Sequence, residues 1–164
     1  MAHDTATRFD LRAYEGAAPG VVRALRALGA AVDESGLEKP LTELLKIRAS
    51  QINGCAFCLQ FHLNAARKAG LSVAKIDLVA TWREAGVYSA REAAALGWTE
   101  ALTLMAGQPP AGAIELELQA QFSKAEIAFL TASIAAINAW NRIAGGLGFP
   151  PPIPAERPAS GSAP

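Results

Sequence analysis

The amino-acid sequence predicts an all-α fold, a compact bundle of about six to seven helices. Apolar residues recur at helical spacing from end to end, and no segment alternates apolar and polar residues with a β-branched bias. Capping residues and glycines stand where the periodic segments begin and end. The chain has 164 residues, 51% of them hydrophobic, which is enough for one domain with a core of its own. We therefore predict a single helical domain over residues 1–149.

The first three predicted helices have clear boundaries on both sides. They cover residues 19–32, 40–53 and 55–69. Pro19 and Pro40 stand in first turns, where a missing N–H breaks no helical hydrogen bond. The glycines that follow these helices, at positions 36, 54 and 70, suit the left-handed exits of helices.

Four further helices are predicted after Ser72. They cover residues 73–86, 90–107, 113–122 and 124–146. Two of them begin with S-x-x-E capping boxes, which start at Ser89 and Ser123. Beyond them, residues 150–164 contain six prolines with glycine, serine and alanine, and this composition predicts an extended tail.

The charge balance and the N-terminus exclude several functional classes. Fifteen basic and fifteen acidic side chains cancel, so no net field favours nucleic acid or anionic lipid. The first residues lack the apolar core of a secretory signal, and no stretch is apolar enough to span a membrane. We therefore expect a cytoplasmic protein that binds neither nucleic acid nor membrane.

The only two cysteines, Cys55 and Cys58, form one C-x-x-C motif. A secreted disulfide scaffold would spread more cysteines along the chain, and so short a loop constrains little of the unfolded state. Redox or metal chemistry is therefore favoured. At about 100° per residue, Cys55, Cys58 and His62 fall within an arc of about 60° on the inward face of the third predicted helix.

This arrangement supports dithiol redox chemistry. The thiolate is the nucleophilic form, and a helix N-terminus stabilises it through unpaired N–H groups and the helix dipole. His62 is four residues after Cys58, close enough to share its proton. Cys55 lies one turn earlier, where it can resolve a sulfenic acid or a mixed disulfide formed on Cys58.

Two other interpretations of these residues remain open at this point. The cysteines could be small core hydrophobes beside a hydrogen-bonded core histidine. They could also bind zinc with His62, although zinc needs a fourth ligand and the only other histidine is His3. We expect no metal and no cofactor. A thioredoxin fold is disfavoured because no strand pattern precedes Cys55.

The sequence around the cysteines resembles a known family. The resemblance is carried by IRASQINGCAFCLQFH at residues 47–62, AARKAG at residues 65–70 and WTEAL at residues 98–102. These segments look like the alkylhydroperoxidase D core of the carboxymuconolactone decarboxylase superfamily, and the similarity spans about residues 20–145. The family's active-site pattern is a glutamate, eleven intervening residues and then C-x-x-C-x-x-x-H. Glu43 stands at the matching position.

The resemblance implies a fold and a role for each site residue. Cys58 would be the peroxidatic thiol, Cys55 the resolving thiol, and Glu43 with His62 a proton relay. Members of the family are all-α and usually assemble as trimers or hexamers. The best-studied members carry a second histidine where this chain has Phe57, so the relay must run directly or through water, and we expect weaker peroxidase turnover. Decarboxylase relatives generally lack the cysteine pair, which argues against lactone decarboxylation.

Three further features carry predictions of their own. Arg48 and Glu100 each fall on an apolar helix face, so we predict that they pair with each other or share a subunit contact. Phe57 lies on the polar side of its helix, which predicts that it lines a subunit interface or a substrate entrance. The last helix is apolar over most of its circumference, which predicts burial in a homo-oligomer; a central helix of a monomer is the alternative.

These features lead to three functional hypotheses. The first is a thiol-dependent antioxidant peroxidase that reduces a hydroperoxide through a Cys55/Cys58 dithiol–disulfide cycle, with an external dithiol or protein electron donor restoring the thiols. The second is a dithiol–disulfide reductase for a partner protein, with little peroxidase activity. The third is a non-enzymatic helical oligomer that senses oxidation or binds metal through the same residues.

Overall fold

A computed structural model describes residues 9–107, 109–110 and 112–155. These residues form nine α-helices and one 3₁₀ turn, and none of them lies in a strand. The helices are α1 (Leu11–Ala17), α2 (Pro19–Asp33), α3 (Lys39–Ile52), α4 (Ala56–Lys68), α5 (Val73–Asp77), α6 (Trp82–Ala85), α7 (Ala90–Thr103), α8 (Ala113–Gln121) and α9 (Lys124–Gly146). The all-α prediction is confirmed, with more helices than the six to seven expected.

Two regions differ from the sequence-based expectation. α1 was not expected; Asp10 caps it by accepting a hydrogen bond from the backbone N–H of Ala13 at 2.7 Å. The segment predicted as one helix over residues 73–86 is instead α5, a 3₁₀ turn at Val79–Thr81 and α6. The predicted helix at residues 90–107 ends earlier, at Thr103.

The two capping boxes are confirmed. Ser89 accepts a hydrogen bond from the backbone N–H of Glu92, and the Glu92 carboxylate accepts one from the Ser89 N–H. Ser123 and Glu126 repeat this arrangement at the start of α9. Each box supplies partners for N–H groups that the first turn of a helix leaves unpaired.

α3 and α9 lie at the centre of the fold. α3 packs against α4, α7 and α9, and α9 also packs against α2, α4 and α7. The larger apolar cluster lies mainly between α3, α7 and α9, and a smaller one surrounds the two cysteines. The two cysteines are therefore enclosed by helices from both halves of the sequence.

The position of α9 accounts for much of its apolar character. In a single chain it already buries Leu130, Ile134 and Ile137, while Phe129 remains 36% exposed. The central position of α9 therefore accounts for most of its apolar circumference without any partner subunit. Assembly into trimers or hexamers stays a prediction.

The C-terminal tail is described only in part. Residues 150–155 have no regular secondary structure and are exposed, while residues 156–164 lie outside the described part of the chain. The division into a domain over residues 1–149 and a tail over 150–164 stays a prediction. Among the described helices, none has the length and apolar character needed to cross a membrane.

Candidate active site

The turn between α3 and α4 places the two cysteines. Gly54 has φ +65°, a left-handed conformation that is costly for residues with a Cβ. Cys55 follows in extended conformation as the N-cap of α4, and its sulfur accepts a hydrogen bond from the backbone N–H of Cys58 at 3.4 Å. Both thiols are reduced and only 2% exposed. The inward orientation expected from helical spacing is confirmed for both.

The two thiols differ in acidity. A hydrogen bond from the Cys58 thiol lowers the pKa of Cys55 to about 6 against the opposing effect of burial, with help from the Cys58 backbone N–H and from Asn141. The same contact between the sulfurs, together with burial, raises the pKa of Cys58. The pair therefore loses its first proton readily, and the negative charge rests mainly on Cys55.

Glu43 on α3 meets His62 on α4. Glu43 Oε2 lies 2.7 Å from His62 Nδ1, and Glu43 Oε1 lies 3.0 Å from Lys46 Nζ and 3.2 Å from Lys39 Nζ. Burial by itself would raise the pKa of Glu43, but the hydrogen bond to His62 and the charge of Lys46 lower it to about 2. Glu43 is therefore a buried carboxylate with three partners and not a solvated helix residue.

The ionised Glu43 fixes the position of the proton on His62. A carboxylate can only accept hydrogen bonds, so Nδ1 carries the hydrogen and Nε2 is the basic nitrogen. Burial lowers the pKa of His62 although Glu43 opposes this, so the imidazole is neutral near pH 7. A neutral imidazole in this tautomer has the chemistry of a general base.

A cavity of about 390 Å³ opens beside α4. Cys58 and His62 line it, whereas Cys55 lies behind Cys58 and is not part of its wall. Most of the wall is apolar, and its polar side is formed by Arg26, Asp33 and Lys46. An apolar cavity with a few polar groups is typical of small-molecule sites, and here it gives access to one thiol of the pair.

Phe57 is part of the wall of this cavity. Its ring packs edge-on against Phe149 with centroids 5.3 Å apart and stacks on Phe61 at 6.3 Å. Phe61 in turn meets the His62 ring at 5.2 Å. Where the best-studied members of the family that the sequence resembles carry a second histidine, this chain has an aromatic residue in an apolar wall. A role of Phe57 at a substrate entrance or a subunit interface stays a prediction.

Arg48 and Glu100 form the predicted ion pair. Arg48 Nε donates to Glu100 Oε1 at 2.7 Å, and the same oxygen accepts from Trp82 Nε1 at 2.9 Å. Glu100 Oε2 lies 2.6 Å from Arg83 Nη1. The pair connects α3, α6 and α7, and none of its members lines the cavity beside Cys58.

Comparison with known proteins identifies the family. Residues 19–101, half of the chain, match the carboxymuconolactone decarboxylase family. The chain belongs to the carboxymuconolactone decarboxylase family. The matched range contains α2 to α4 and with them Glu43, Cys55, Cys58 and His62.

Two relatives of this family member are close in sequence. The Bacillus subtilis protein YdfG, which is uncharacterised, is 35% identical over 115 residues, covering 70% of this chain and 78% of YdfG. A crystal structure of an Agrobacterium tumefaciens protein of unknown function, suggested to be the antioxidant defence protein AhpD, is 42% identical. It matches with a TM-score of 0.84 over 90% of this chain and 99% of its own. The fold is therefore AhpD-like, as the resemblance implied.

More distant structures share the fold alone. The debrominase Bmp8 in its apo form matches with a TM-score of 0.75 at 19% identity, over 83% of this chain and 73% of its own. A cysteine-to-alanine variant of the same debrominase, in complex with 2,3,4-tribromopyrrole, matches with a TM-score of 0.74 at 16% identity, over 91% and 92%. At such identities the likeness shows the helix arrangement alone.

In this member of the carboxymuconolactone decarboxylase family, the four predicted site residues lie in one buried region. Cys55 and Cys58 contact each other, Glu43 contacts His62, and Cys58 shares the cavity with His62. Within the described part of the chain, no three His, Cys, Asp or Glu side chains form a group that could hold a metal. His3, which the zinc hypothesis considered, lies outside the described residues.

Two polar residues beside the site were missed by sequence reasoning. Lys46 lies on α3 next to Glu43, and Asn141 lies on α9 next to the thiols. Asn141 is only 3% exposed in a helix that is otherwise largely apolar. The available sequence signal was an asparagine within an apolar helix, because a buried amide needs hydrogen-bond partners.

Proposed function

We propose that this chain is a thiol-dependent hydroperoxide reductase, an antioxidant enzyme that cycles between the Cys55/Cys58 dithiol and disulfide in the cytoplasm. The observation that carries the proposal is a buried, acidic thiol pair whose only cavity-lining member, Cys58, shares that cavity with His62. Membership of the family and the AhpD-like fold support the same chemistry.

In the proposed cycle, Cys58 gives up its proton to His62 Nε2 and becomes a thiolate, while the ionised Glu43 stabilises the imidazolium that forms. The Cys58 thiolate attacks the terminal oxygen of the hydroperoxide; the S–O bond forms and the O–O bond breaks. The sulfur becomes a sulfenic acid, and the alkoxide leaves with a proton as the alcohol. The Glu43–His62 pair is the proposed source of that proton.

The second half of the cycle closes the disulfide. The Cys55 thiolate attacks the Cys58 sulfur, the S–S bond forms, and hydroxide leaves with a proton as water. An external dithiol then reduces the disulfide and is itself oxidised. Both cysteines return to the thiol state, so each turn transfers two electrons from the donor to the peroxide.

The burial of the cysteines favours a small oxidant over a protein partner. Both thiols are 2% exposed, and disulfide exchange with a folded partner needs the attacked sulfur at the surface. The cavity of about 390 Å³ admits a small molecule without any rearrangement. The dithiol–disulfide reductase hypothesis is therefore the second candidate.

The test is a titration of thiols in the reduced chain with an organic hydroperoxide. We expect the loss of both thiols per chain, no loss in Cys58→Ser, and arrest at a trappable sulfenic acid in Cys55→Ser. Loss of thiols only with a disulfide-bearing protein would support the reductase instead. Stoichiometric zinc in the purified protein would contradict both redox hypotheses.

A further inference from the structure

Asn141 is a buried amide on α9 that faces the thiol pair. As a side-chain hydrogen-bond donor, Asn141 lowers the pKa of both thiols. Ile137 and Ala144, one turn before and one turn after it, pack in the same cluster as both cysteines. α9 thus places a polar group in an otherwise apolar wall behind the thiols.

The orientation of this amide can be traced from the protein surface. Arg142 Nη1 donates to Asn138 Oδ1 at 3.0 Å, and Asn138 Nδ2 donates to the carbonyl oxygen of Ile134 at 2.9 Å. A guanidinium can only donate and a backbone carbonyl can only accept. These two partners therefore settle which end of the Asn138 amide is the oxygen.

The orientation of Asn138 determines that of Asn141 through Asn53. Asn53 Nδ2 lies 2.9 Å from Asn138 Oδ1 and 2.8 Å from Asn141 Oδ1. Because the contacting atom of Asn138 is an oxygen, the Asn53 atom must be the NH₂ nitrogen that donates to it. The same nitrogen also donates to Asn141, so the contacting atom of Asn141 is its oxygen. The NH₂ group of Asn141 is thereby directed at Ser50 Oγ, 3.1 Å away. Ser50 adjoins the thiol pair, because its carbonyl oxygen accepts a hydrogen bond from the Cys55 backbone N–H at 3.1 Å.

We propose that Asn141 is a positioning residue of the thiol pair: its NH₂ group donates to the sulfur that carries the negative charge and so stabilises the reactive protonation state. A hydrogen bond to an ionised group is among the stronger kinds in proteins, and Asn141 adds a side-chain donor to those that the Cys58 thiol and backbone N–H supply. The inference rests on the proposed redox role of the pair but not on the identity of the oxidant.

Other titratable groups lie near the pair and have to be held constant in a test. Tyr14 of α1 packs against the cluster of the two cysteines; α2 contributes Arg26 and Asp33, α3 contributes Glu43 and Lys46, and α4 contributes His62. The variants chosen below leave all of them in place. A change in thiol acidity can then be assigned to the amide.

The experiment is a pH titration of the reduced full-length chain, followed by the ultraviolet absorbance of the thiolate. Asn141→Leu is expected to raise the midpoint of the first thiol ionisation by about one pH unit, because a donor to the anion is lost. Ser133→Ala is the matched control: Ser133 is also buried on α9, and its Oγ has no hydrogen-bond partner among the described residues. Its midpoint should equal that of the wild type.

Asn138→Ala is the second variant. Asn138 is only partly buried and lies two hydrogen bonds away from Asn141, so a purely structural role predicts no change in thiol acidity. We expect a smaller upward shift of the midpoint, because the Asn53 and Asn141 amides lose their fixed orientation. An unchanged midpoint in a folded Asn141→Leu protein overturns the proposal. Should that variant not fold, an unchanged midpoint in Asn138→Ala overturns it.

Failure of this inference can be told apart from failure of the proposed function. If the wild type does not lose thiols to peroxide while the ionisation midpoint of Asn141→Leu shifts as expected, the peroxidase proposal is wrong and the role of Asn141 stands. If the wild type loses thiols to peroxide and the midpoint of Asn141→Leu equals that of the wild type, only the proposed role of Asn141 is wrong.

Discussion

The carboxylate of Glu43 stays ionised inside the protein because three donors surround it. His62 Nδ1, Lys46 Nζ and Lys39 Nζ lie 2.7 to 3.2 Å from its oxygens. These contacts lower the pKa of Glu43 to about 2, below the value of 4.5 expected in an unfolded chain, although burial acts in the opposite direction. The folded state therefore releases this proton more readily than the unfolded state, which makes Glu43 a source of pH-dependent stability.

Glu43→Gln is expected to lose that stability. Since the pKa is lower in the folded state, the contribution of Glu43 is fully present above pH 4.5 and disappears as the pH falls toward about 2. We expect the wild type to exceed Glu43→Gln by about 3 kcal/mol in free energy of unfolding at pH 7, with a shrinking difference at lower pH. Urea unfolding at a series of pH values measures both.

The control for this variant is Glu117→Gln on the exposed face of α8, which should follow the wild type at every pH. A difference between wild type and Glu43→Gln that stayed constant from pH 7 to pH 3 would contradict the assignment of a buried, ionised Glu43.

The sequence was sufficient to nominate four residues of the site, and the reason is local. Cys55, Cys58 and His62 share one helix, and the family pattern adds Glu43 from the preceding helix. Asn141 could not be found in this way, because it joins the thiols only through the packing of α9 against α4. The unequal acidity of the two thiols also depends on contacts that spacing does not reveal.

At the scale of elements, the junction of α3 and α4 holds the site together. α3 carries Glu43 and ends at Ile52, and Cys55 begins α4 as its N-cap. Between them, Gly54 turns the chain with φ +65°. A single tight turn therefore separates the helix that carries Glu43 from the helix that carries the thiols and His62.

Gly54→Ala is expected to destabilise the protein by about 1 kcal/mol, because a Cβ disfavours the left-handed conformation even where space is open. Gly145→Ala is the matched control, since this glycine is exposed within α9 and also has open space for a Cβ. There, alanine should stabilise by about 0.5–1 kcal/mol through helix propensity. Opposite signs in urea unfolding are the expected result; equal signs would contradict the turn geometry.

Helix boundaries set by local chemistry were predictable, and those set by tertiary contacts were not. The S-x-x-E boxes at Ser89 and Ser123 and the glycine exits at positions 54 and 70 lie where expected. The break between α5 and α6 follows no proline or glycine in the sequence. It coincides with Trp82, whose indole donates to Glu100 on α7, so the chain changes direction to reach a distant partner.

At the scale of the whole molecule, Glu100 joins three parts of the chain. It accepts hydrogen bonds from Arg48 on α3 and from Trp82 on α6, and it pairs with Arg83. Burial by itself would raise the pKa of Glu100, but these donors lower it, so the carboxylate is ionised. The cluster fastens the outer α6 and α7 to the central α3.

Glu100→Leu is expected to cost about 3 kcal/mol in free energy of unfolding, because it leaves the partly buried Arg48 without its carboxylate. Glu15→Leu removes the partner of Arg26 in an exposed ion pair and should cost less than about 1 kcal/mol. Thiol loss to peroxide should persist in folded Glu100→Leu protein. Loss of that reaction with unchanged stability would instead indicate a catalytic role for Glu100.

The position of Asn141 on the last helix has a consequence for biosynthesis. Residues 39–68 carry both cysteines and the Glu43–His62 pair, and they leave the ribosome well before residues 124–146 are made. Until α9 docks, the sulfurs lack both the Asn141 donor and the apolar cover that Ile137 and Ala144 provide. Docking of α9 therefore brings both the donor that lowers the pKa of the thiols and the burial that raises it. On the proposed role of Asn141, the thiolate gains this donor only once the last helix has been made.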